Sequence, residues 1–272
     1  MRERAVNQVL QLVEDRLGLG YRSSAPKWVR DRVLAVLEGQ AKRSHVALFE
    51  AALRLRTDPP ALEELIAALR VGETRFYRDR AQWAALGRDV IPSFPAGGTI
   101  EVLSAGCSTG EEAYTLAMLL TASRRRFHVL GVDRCAAAIA AAQAAVYDTE
   151  AARDLPSDWS ARFCHVDGRV LTIRAPLREG VSFEHSDLVK RTPRGPFHVI
   201  FFKNVLLYLA APAGEELAAR LASELDERGL LFVAASEVLR LRAAGLCAVP
   251  VAPGVTAFRA AFHSRGPVVR GR

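Results

Sequence analysis

The sequence predicts an α/β protein: a doubly wound, parallel-sheet domain preceded by a helical unit. Three observations carry this expectation. Apolar residues recur at helical spacing in three stretches between Val6 and Leu69, and no strand pattern appears before residue 98. From Thr99 onward, short β-branched runs alternate with helical segments. A turn-rich stretch, Pro92-Ser93-Phe94-Pro95-Ala96-Gly97-Gly98, stands between the two textures. A chain of 272 residues accommodates one large domain with a smaller partner.

In order along the chain, Val6, Val9, Leu10, Val13 and Leu17 share one helix face, and Gly18 and Gly20 follow where that helix stops. Val29, Val33, Leu34 and Leu37 mark a second helix, and Leu62, Leu65, Ile66 and Leu69 a third. Asp58-Pro59-Pro60 supplies the third with a cap and a proline-rich first turn. The expected division is a helical unit over 1–88, a linker over 89–98, an α/β domain over 99–265 and a frayed tail over 266–272.

Within the α/β domain, Ile100–Leu103 and Phe127–Val132 are strand candidates, followed by helices over about 111–120 and 136–145. Phe197–Phe202 and Leu230–Ala234 add two buried strands, with a helix over Ala213–Leu225 between them. The region from 163 to 185 reads differently. Phe163–His165, Arg169–Ile173 and Val181–Phe183 are short strands separated by turns, with Asp167-Gly168 a hairpin signal. They predict a small antiparallel insertion at about 163–185.

Composition excludes several classes. Half the residues are hydrophobic and 25% are charged, the balance of a folded chain. The longest apolar runs fall far short of the roughly 20 residues a spanning helix needs, and the start carries no apolar signal region; the expectation is a cytoplasmic protein without membrane insertion. Cys107, Cys135, Cys164 and Cys247 are 28, 29 and 83 residues apart, which gives no zinc spacing, and no metal site is expected. The net charge of +7 is concentrated in the first 98 residues and the last 14. A basic helical unit fits either a solvated face or a dock for an acidic partner, with Lys27, Arg30 and Arg32 as candidate contacts. No aromatic-plus-basic surface supports nucleic-acid binding.

The segment Ser104-Ala105-Gly106-Cys107-Ser108-Thr109-Gly110-Glu111-Glu112 joins the first strand to its helix, where small residues let a ligand approach the backbone. Glu111 and Glu112 occupy the helix end that would otherwise attract a pyrophosphate. Asp133, at the end of the next strand, is placed to accept hydrogen bonds from ribose hydroxyls. The set suggests an adenosine ligand without a diphosphate, and S-adenosylmethionine, whose sulfonium is cationic, fits. Taken singly, the glycines also suit a plain tight turn, and Asp133 also suits a helix cap.

The run Ser104 to Met118 closely resembles the cofactor motif of the CheR-type chemoreceptor glutamate methyltransferases. The resemblance extends to Gly72–Asp79, Gly131–Asp133, Phe183–Leu188, Phe197–Tyr208 and Gly229–Glu237, in the family's order and over nearly the whole chain. It implies a helical receptor-docking domain and a Rossmann-like class I methyltransferase domain with a β-subdomain. The implied activity is transfer of a methyl group from S-adenosylmethionine to glutamate carboxylates of a chemoreceptor cytoplasmic domain or a related signalling protein, leaving S-adenosylhomocysteine.

Carried over by residue, Thr74 and Arg78 lie at the methionine end of the cofactor, Glu112 and Asp133 hold its amino and ribose groups, and Leu188 borders the adenine. Gly106, Asp187, Lys203 and Asn204 complete the cofactor-binding set, with Asn204 also on the acceptor side. Arg78 and Tyr208 are the catalytic candidates.

This chain departs from the family pattern at Gly72, Tyr77, Ala113, Asp187, Lys203 and Ala234-Ala235. Asp187 replaces a donor-acceptor amide by an acceptor, and Lys203 gives up a planar fork. These departures keep open a second expectation, a catalytically weakened S-adenosylmethionine-binding scaffold or sensor. The short hairpin at Asp167-Gly168 implies docking that does not use a receptor's C-terminal pentapeptide.

Overall fold

The computed structural model describes residues 1–21, 24–70 and 74–260. Gly72, the tail over 266–272 and the last residues of the expected α/β domain lie outside the described residues.

Four helices open the chain: α1 (Arg2–Leu17), α2 (Lys27–Ser44), α3 (Leu48–Arg54) and α4 (Pro59–Leu69). Helix α1 stops at Gly18, whose left-handed φ of 67° lets its N–H donate to Glu14 O. Asp58 caps α4 by accepting from Ala61 N at 3.3 Å, with Pro59 and Pro60 in the first turn, where a missing N–H costs nothing. The apolar stripes of α1, α2 and α4 converge on one cluster that includes Val9, Leu10, Val13, Val33, Leu37 and Leu65. Helix α3, which lacked a periodic signal, contributes Ala51 and Ala52 to it.

The α/β part contains β1 (Thr99–Ala105), α6 (Glu111–Ala122), β2 (Arg126–Asp133), α7 (Ala136–Ala144), β6 (Val181–His185), β7 (Phe197–Phe201), α10 (Ala211–Ser223), β8 (Leu225–Phe232), α11 (Val238–Ala243), β9 (Cys247–Ala252) and β10 (Val255–Arg259). The remaining elements are α5 (Arg80–Ala85), β3 (Val146–Asp148), α8 (Ser157–Phe163), β4 (Cys164–Asp167), β5 (Val170–Ile173) and α9 (Ala175–Arg178).

Seven strands form one sheet in the order β6-β2-β1-β7-β8-β10-β9. The pairings from β6 through β8 are parallel, and β10 is antiparallel to both neighbours. Alternate residues supply opposite faces: Ile100, Val102, Val199, Phe201, Leu230 and Phe232 enter one core cluster, and Leu103, Ala105, Ile200, Phe202, Leu231 and Val233 the other. This is the Rossmann-like α/β architecture the sequence predicts.

Three findings depart from the expected elements. The short antiparallel sheet is β3-β5-β4, so it begins at Val146, ahead of the expected insertion at 163–185. Val181–His185 instead pairs in parallel with β2 in the large sheet, because Phe183 packs against Tyr114 in that sheet's core. The second departure is at the expected linker over 89–98. Val90, Ile91 and Phe94 are buried with Val102 and Met118 in the sheet's core, and the chain is helical from Arg80 through Ser93. The proline and glycine signals mark only the turn just before β1. The third is the pair β9 and β10, which extends the sheet beyond β8. Pro250 and the exposed positions of β9 suit an edge strand, which needs neither a continuous apolar run nor every backbone donor.

Among the described residues, no helix is long and apolar enough to cross a membrane. Phe94 is 3% exposed and meets the His198 ring edge-on at 5.0 Å. Phe94→Ala is therefore expected to lower stability by about 3–5 kcal/mol in chemical denaturation. A linker phenylalanine would change it by no more than about 0.5 kcal/mol.

Candidate functional site: a cavity at the carboxyl ends of the parallel strands

The strand order reverses at β1, with β2 on one side and β7 on the other, and the connections that follow these strands therefore diverge and leave a crevice. A cavity of about 290 Å³ lies there. Gly106, Cys107 and Ser108 reach it from β1, Asp133 from β2, Leu188 from the connection after β6, and Lys203, Asn204 and Tyr208 from that after β7.

The floor is backbone. Gly106 and Cys107 both donate to Val132 O, at 2.8 and 3.0 Å, which folds the turn back onto β2. Gly106 has φ +81°, and a Cβ there would stand 2.5 Å from Val205 Cγ2. At Gly110, with φ +94°, a Cβ would meet Ala142 Cβ at 2.9 Å. Both positions require glycine. Left-handed non-glycine residues occur here too: Ser108 and Asn204, which line the cavity, have φ of 52° and 59°, and Tyr77 and Asp79, which flank Arg78, have φ of 59° and 66°. Such conformations cost about 1–3 kcal/mol each and persist only where surrounding contacts hold them.

Asp133 sits as the sequence places it. Its Oδ2 accepts from Ser108 N at 2.9 Å and its Oδ1 from Cys135 N at 2.8 Å, and each oxygen retains capacity for a further donor. It therefore closes the turns that follow β1 and β2 while still facing the cavity. Glu112 lies in the first turn of α6 and lines the cavity, and Ser104 Oγ donates to its Oε1 at 2.8 Å. Burial pushes the Glu112 carboxyl up, and Lys203, the largest opposing influence, draws it back down. Glu111 is also raised by burial, while hydrogen bonds from Thr109 and Thr74 act against the shift.

Lys203 differs from a simple cofactor contact. Its side chain is 2% exposed, and its Nζ lies 2.9 Å from Asp79 Oδ2 and 3.7 Å from Glu112 Oε2, over the rings of Trp83 and Phe201. Asp79, the neighbour of Arg78, is thus an ion-pair partner of Lys203. Asn204 N–H donates to Glu237 Oε2 at 3.0 Å, and Glu237 also accepts from Ala234 N. Glu237, raised by burial, fixes the connection that carries Asn204 and Tyr208. Thr74, Arg78, Leu188 and Tyr208 all line the cavity.

Asp187 does not line it. Its carboxylate holds Arg134 at 2.8 Å, and Arg134, which does line it, donates to Leu17 O at 2.8 Å. Asp187 thus works through the neighbour of Asp133 and ties the sheet to α1.

The helical unit supplies a wall that no sequence signal announced. Leu17, Leu19, Tyr21 and Arg70 line the cavity. Gly20 N donates to Tyr208 O at 2.8 Å, Ala210 N to Gly18 O at 2.7 Å, and Arg70 Nη1 to Ser108 Oγ at 3.0 Å. Burial and the nearby Tyr208 push the Tyr21 phenol up to about 12. The expected docking cations are engaged within the unit: Lys27 with Asp31, Arg30 with Glu3 and Asn7, and Arg32 with Ala68 O and Arg70 O.

The chemistry of this lining fits an adenosyl amino acid. An acidic side chain stands at the end of β2, Leu188 and Val189 offer apolar cover, Glu112 suits an amino group, and the missing side chain at Gly106 admits close approach to the backbone.

Comparison with known proteins agrees. Residues 72–248, more than half the chain, match the family described as CheR methyltransferase, SAM binding domain. A chemotaxis protein methyltransferase of Listeria monocytogenes is 28% identical over 84% of this chain and 87% of its own length. Chemotaxis protein methyltransferase 1 of Pseudomonas aeruginosa is 27% identical over the same shares. The same organism's probable biofilm formation methyltransferase WspC is 26% identical over 87% of this chain and 57% of its own.

Gly106→Ala is expected to abolish detectable S-adenosylhomocysteine binding in isothermal titration calorimetry while the protein remains folded by circular dichroism. Unchanged affinity would show that the floor tolerates a Cβ.

Proposed function

The chain belongs to the CheR methyltransferase family and uses S-adenosylmethionine, and from that premise we propose that it esterifies glutamate carboxylates on the cytoplasmic part of a chemoreceptor or a related signalling protein. The observation that carries this reading is that Arg78, Asn204 and Tyr208 line the same cavity as Glu112 and Asp133. The cofactor supplies an electrophilic methyl group on a sulfonium.

The protein's own contribution is placement. A glutamate acceptor is already ionised at neutral pH, so no general base is required. Asp133 has capacity left for ribose hydroxyls, Leu188 covers the adenine, and Glu112 and Thr74 serve the methionine end. Arg78 offers a planar fork that orients an incoming carboxylate, and the Tyr208 hydroxyl donates to it. Alignment of this kind contributes on the order of 7–11 kcal/mol when nucleophile and electrophile are held in a near-attack geometry. The grip must stay moderate, since binding the ground state as tightly as the transition state gains nothing in turnover.

The helical unit supports the docking half of the proposal, because it walls the cavity and remains exposed on its outer faces. The connection between β4 and β5 is a tight turn at Gly168-Arg169, which supports docking independent of a receptor's C-terminal pentapeptide. Relatives named for chemotaxis and for biofilm formation both support a signalling protein as acceptor.

Radiolabelled methyl from S-adenosylmethionine is expected to appear as base-labile label on purified receptor cytoplasmic fragments. Arg78→Ala is expected to lower kcat by at least about 100-fold with folding intact. Absence of label with cofactor affinity retained would favour the scaffold or sensor over the enzyme.

A further inference from the structure

Lys203 stands directly after β7, with its side chain 2% exposed. A buried ammonium must be paired to be tolerated. Its two carboxylate partners come from different parts of the chain: Glu112 lines the cavity, and Asp79 stands next to Arg78, which lines it. Glu112 Oε2, at 3.7 Å, belongs to the first turn of α6. Asp79 Oδ2, at 2.9 Å, belongs to the residue after Arg78. Below the ammonium lie Trp83 at 5.3 Å and Phe201 at 5.4 Å, a desolvated position in which a cation gains from the ring faces.

The backbone around Arg78 gives this pairing its consequence. Tyr77 and Asp79, on either side of Arg78, both have left-handed φ. Thr115 Oγ1 accepts from Tyr77 N at 3.1 Å, and the Tyr77 ring stacks on Trp83. Asp79 is held through its side chain by Lys203. The direction in which Arg78 leaves the backbone is therefore set between a stacked tyrosine and an ion pair.

Among the described residues, the groups facing Glu112 can be named. Ser104 Oγ donates to it from β1, Lys203 and Arg78 act on it as cations, and Asp79 acts as an anion. The Cys107 thiol lies in the same field, with Glu111 beside it in the chain. Of these, Lys203 opposes the burial of Glu112 most strongly.

We propose that Lys203 is a positioning residue for methyl transfer: one buried ammonium, bridging Glu112 and Asp79, fixes the charge of the cofactor wall and the placement of Arg78 together. The placement half rests on the proposed roles of Glu112 and Arg78, whereas the charge half concerns this chain without any ligand. Losing the ammonium leaves a buried carboxyl without its main counter-charge, so Glu112 takes up its proton at higher pH. The same loss releases Asp79, and Arg78 with it.

The test uses the full chain and the variants Lys203→Met and Lys203→Arg. Carbon-13 NMR of protein labelled at glutamate Cδ, with the Glu112 signal assigned through Glu112→Gln, reads the Glu112 titration in the absence of cofactor and acceptor. The expected result is a midpoint raised by at least about one pH unit in Lys203→Met and retained in Lys203→Arg. One unit corresponds to roughly a tenfold change in the ionised fraction at pH values below the midpoint, and there S-adenosylhomocysteine affinity is expected to fall by up to the same factor. In turnover, Lys203→Met is expected to lose kcat as well as cofactor affinity, and Lys203→Arg to recover both in part.

Asp79→Asn, which keeps the ammonium, carries the test if Lys203→Met does not fold. It is expected to lower the Glu112 midpoint, because a competing anion is gone, and to lower kcat through Arg78. An unmoved Glu112 midpoint in folded Lys203→Met, or an unmoved midpoint and kcat in Asp79→Asn, overturns the proposal. Because the titration is read on protein alone, failure to methylate a receptor fragment counts against the glutamate acceptor and leaves the ammonium bridge to be judged by NMR.

Discussion

The parallel pairing of β2, β1 and β7 is the constraint on which everything else in this protein depends. Parallel strands end together, so the residues after Ala105, Asp133 and Phe201 emerge at one edge of the sheet. The reversal of strand order at β1 parts the connections and leaves room between them. The chain then fits a backbone floor into that room, with Gly106 N and Cys107 N both drawn to Val132 O. Positive φ angles accumulate there because the chain must turn sharply in little space. The cost is offset by packing and by hydrogen bonds elsewhere, as at Asn204, whose N–H is taken by Glu237.

Around this floor the site is a set of buried and half-buried charges with assigned partners. Lys203 is held by Asp79 and Glu112, Arg134 by Asp187 and the Leu17 carbonyl, and the connection after β7 by Glu237. Burial raises the carboxyls of Glu111, Glu112 and Glu237, which means their ionised forms are costly in place. Charge pairs buried in this way contribute little net stability, because desolvation offsets their attraction. Here each charge ties together segments far apart in sequence: Asp79 lies before the sheet begins, Glu112 after its first strand, and Lys203 after β7.

The helical unit takes part in the same economy of contacts. It meets the α/β part through Leu17 and Arg70, which line the cavity, and through Gly18 and Gly20 beside them, so its outer faces and the cofactor wall belong to one packed body. Under the proposed function, a signalling protein bound to those faces would lie on the unit that also walls the cavity. This arrangement gives a physical basis for joining recognition of a signalling partner to transfer of a methyl group.

The sequence by itself determined the helical start, the alternation of strands and helices, the glycine turn at Gly106 to Gly110 and the position of Asp133, because each is written in neighbouring residues through periodicity, turn chemistry or a strand end. Resemblance in ordered blocks placed Thr74, Arg78, Leu188, Asn204 and Tyr208, all of which line the cavity. Only the tertiary structure decided the rest. It buried Val90, Ile91 and Phe94, which composition placed in a linker, because a nearby apolar face outweighs local turn signals. It moved Val181–His185 from the small sheet into the large one and added β9 and β10, since strand partners are chosen across long separations. It gave Asp187 to Arg134 and Lys203 to Asp79 and Glu112, and it brought Leu17, Leu19, Tyr21 and Arg70 to the cavity wall. Charge pairing and wall contacts depend on distances between segments that only the folded sheet brings within a few ångströms, and no local pattern records them.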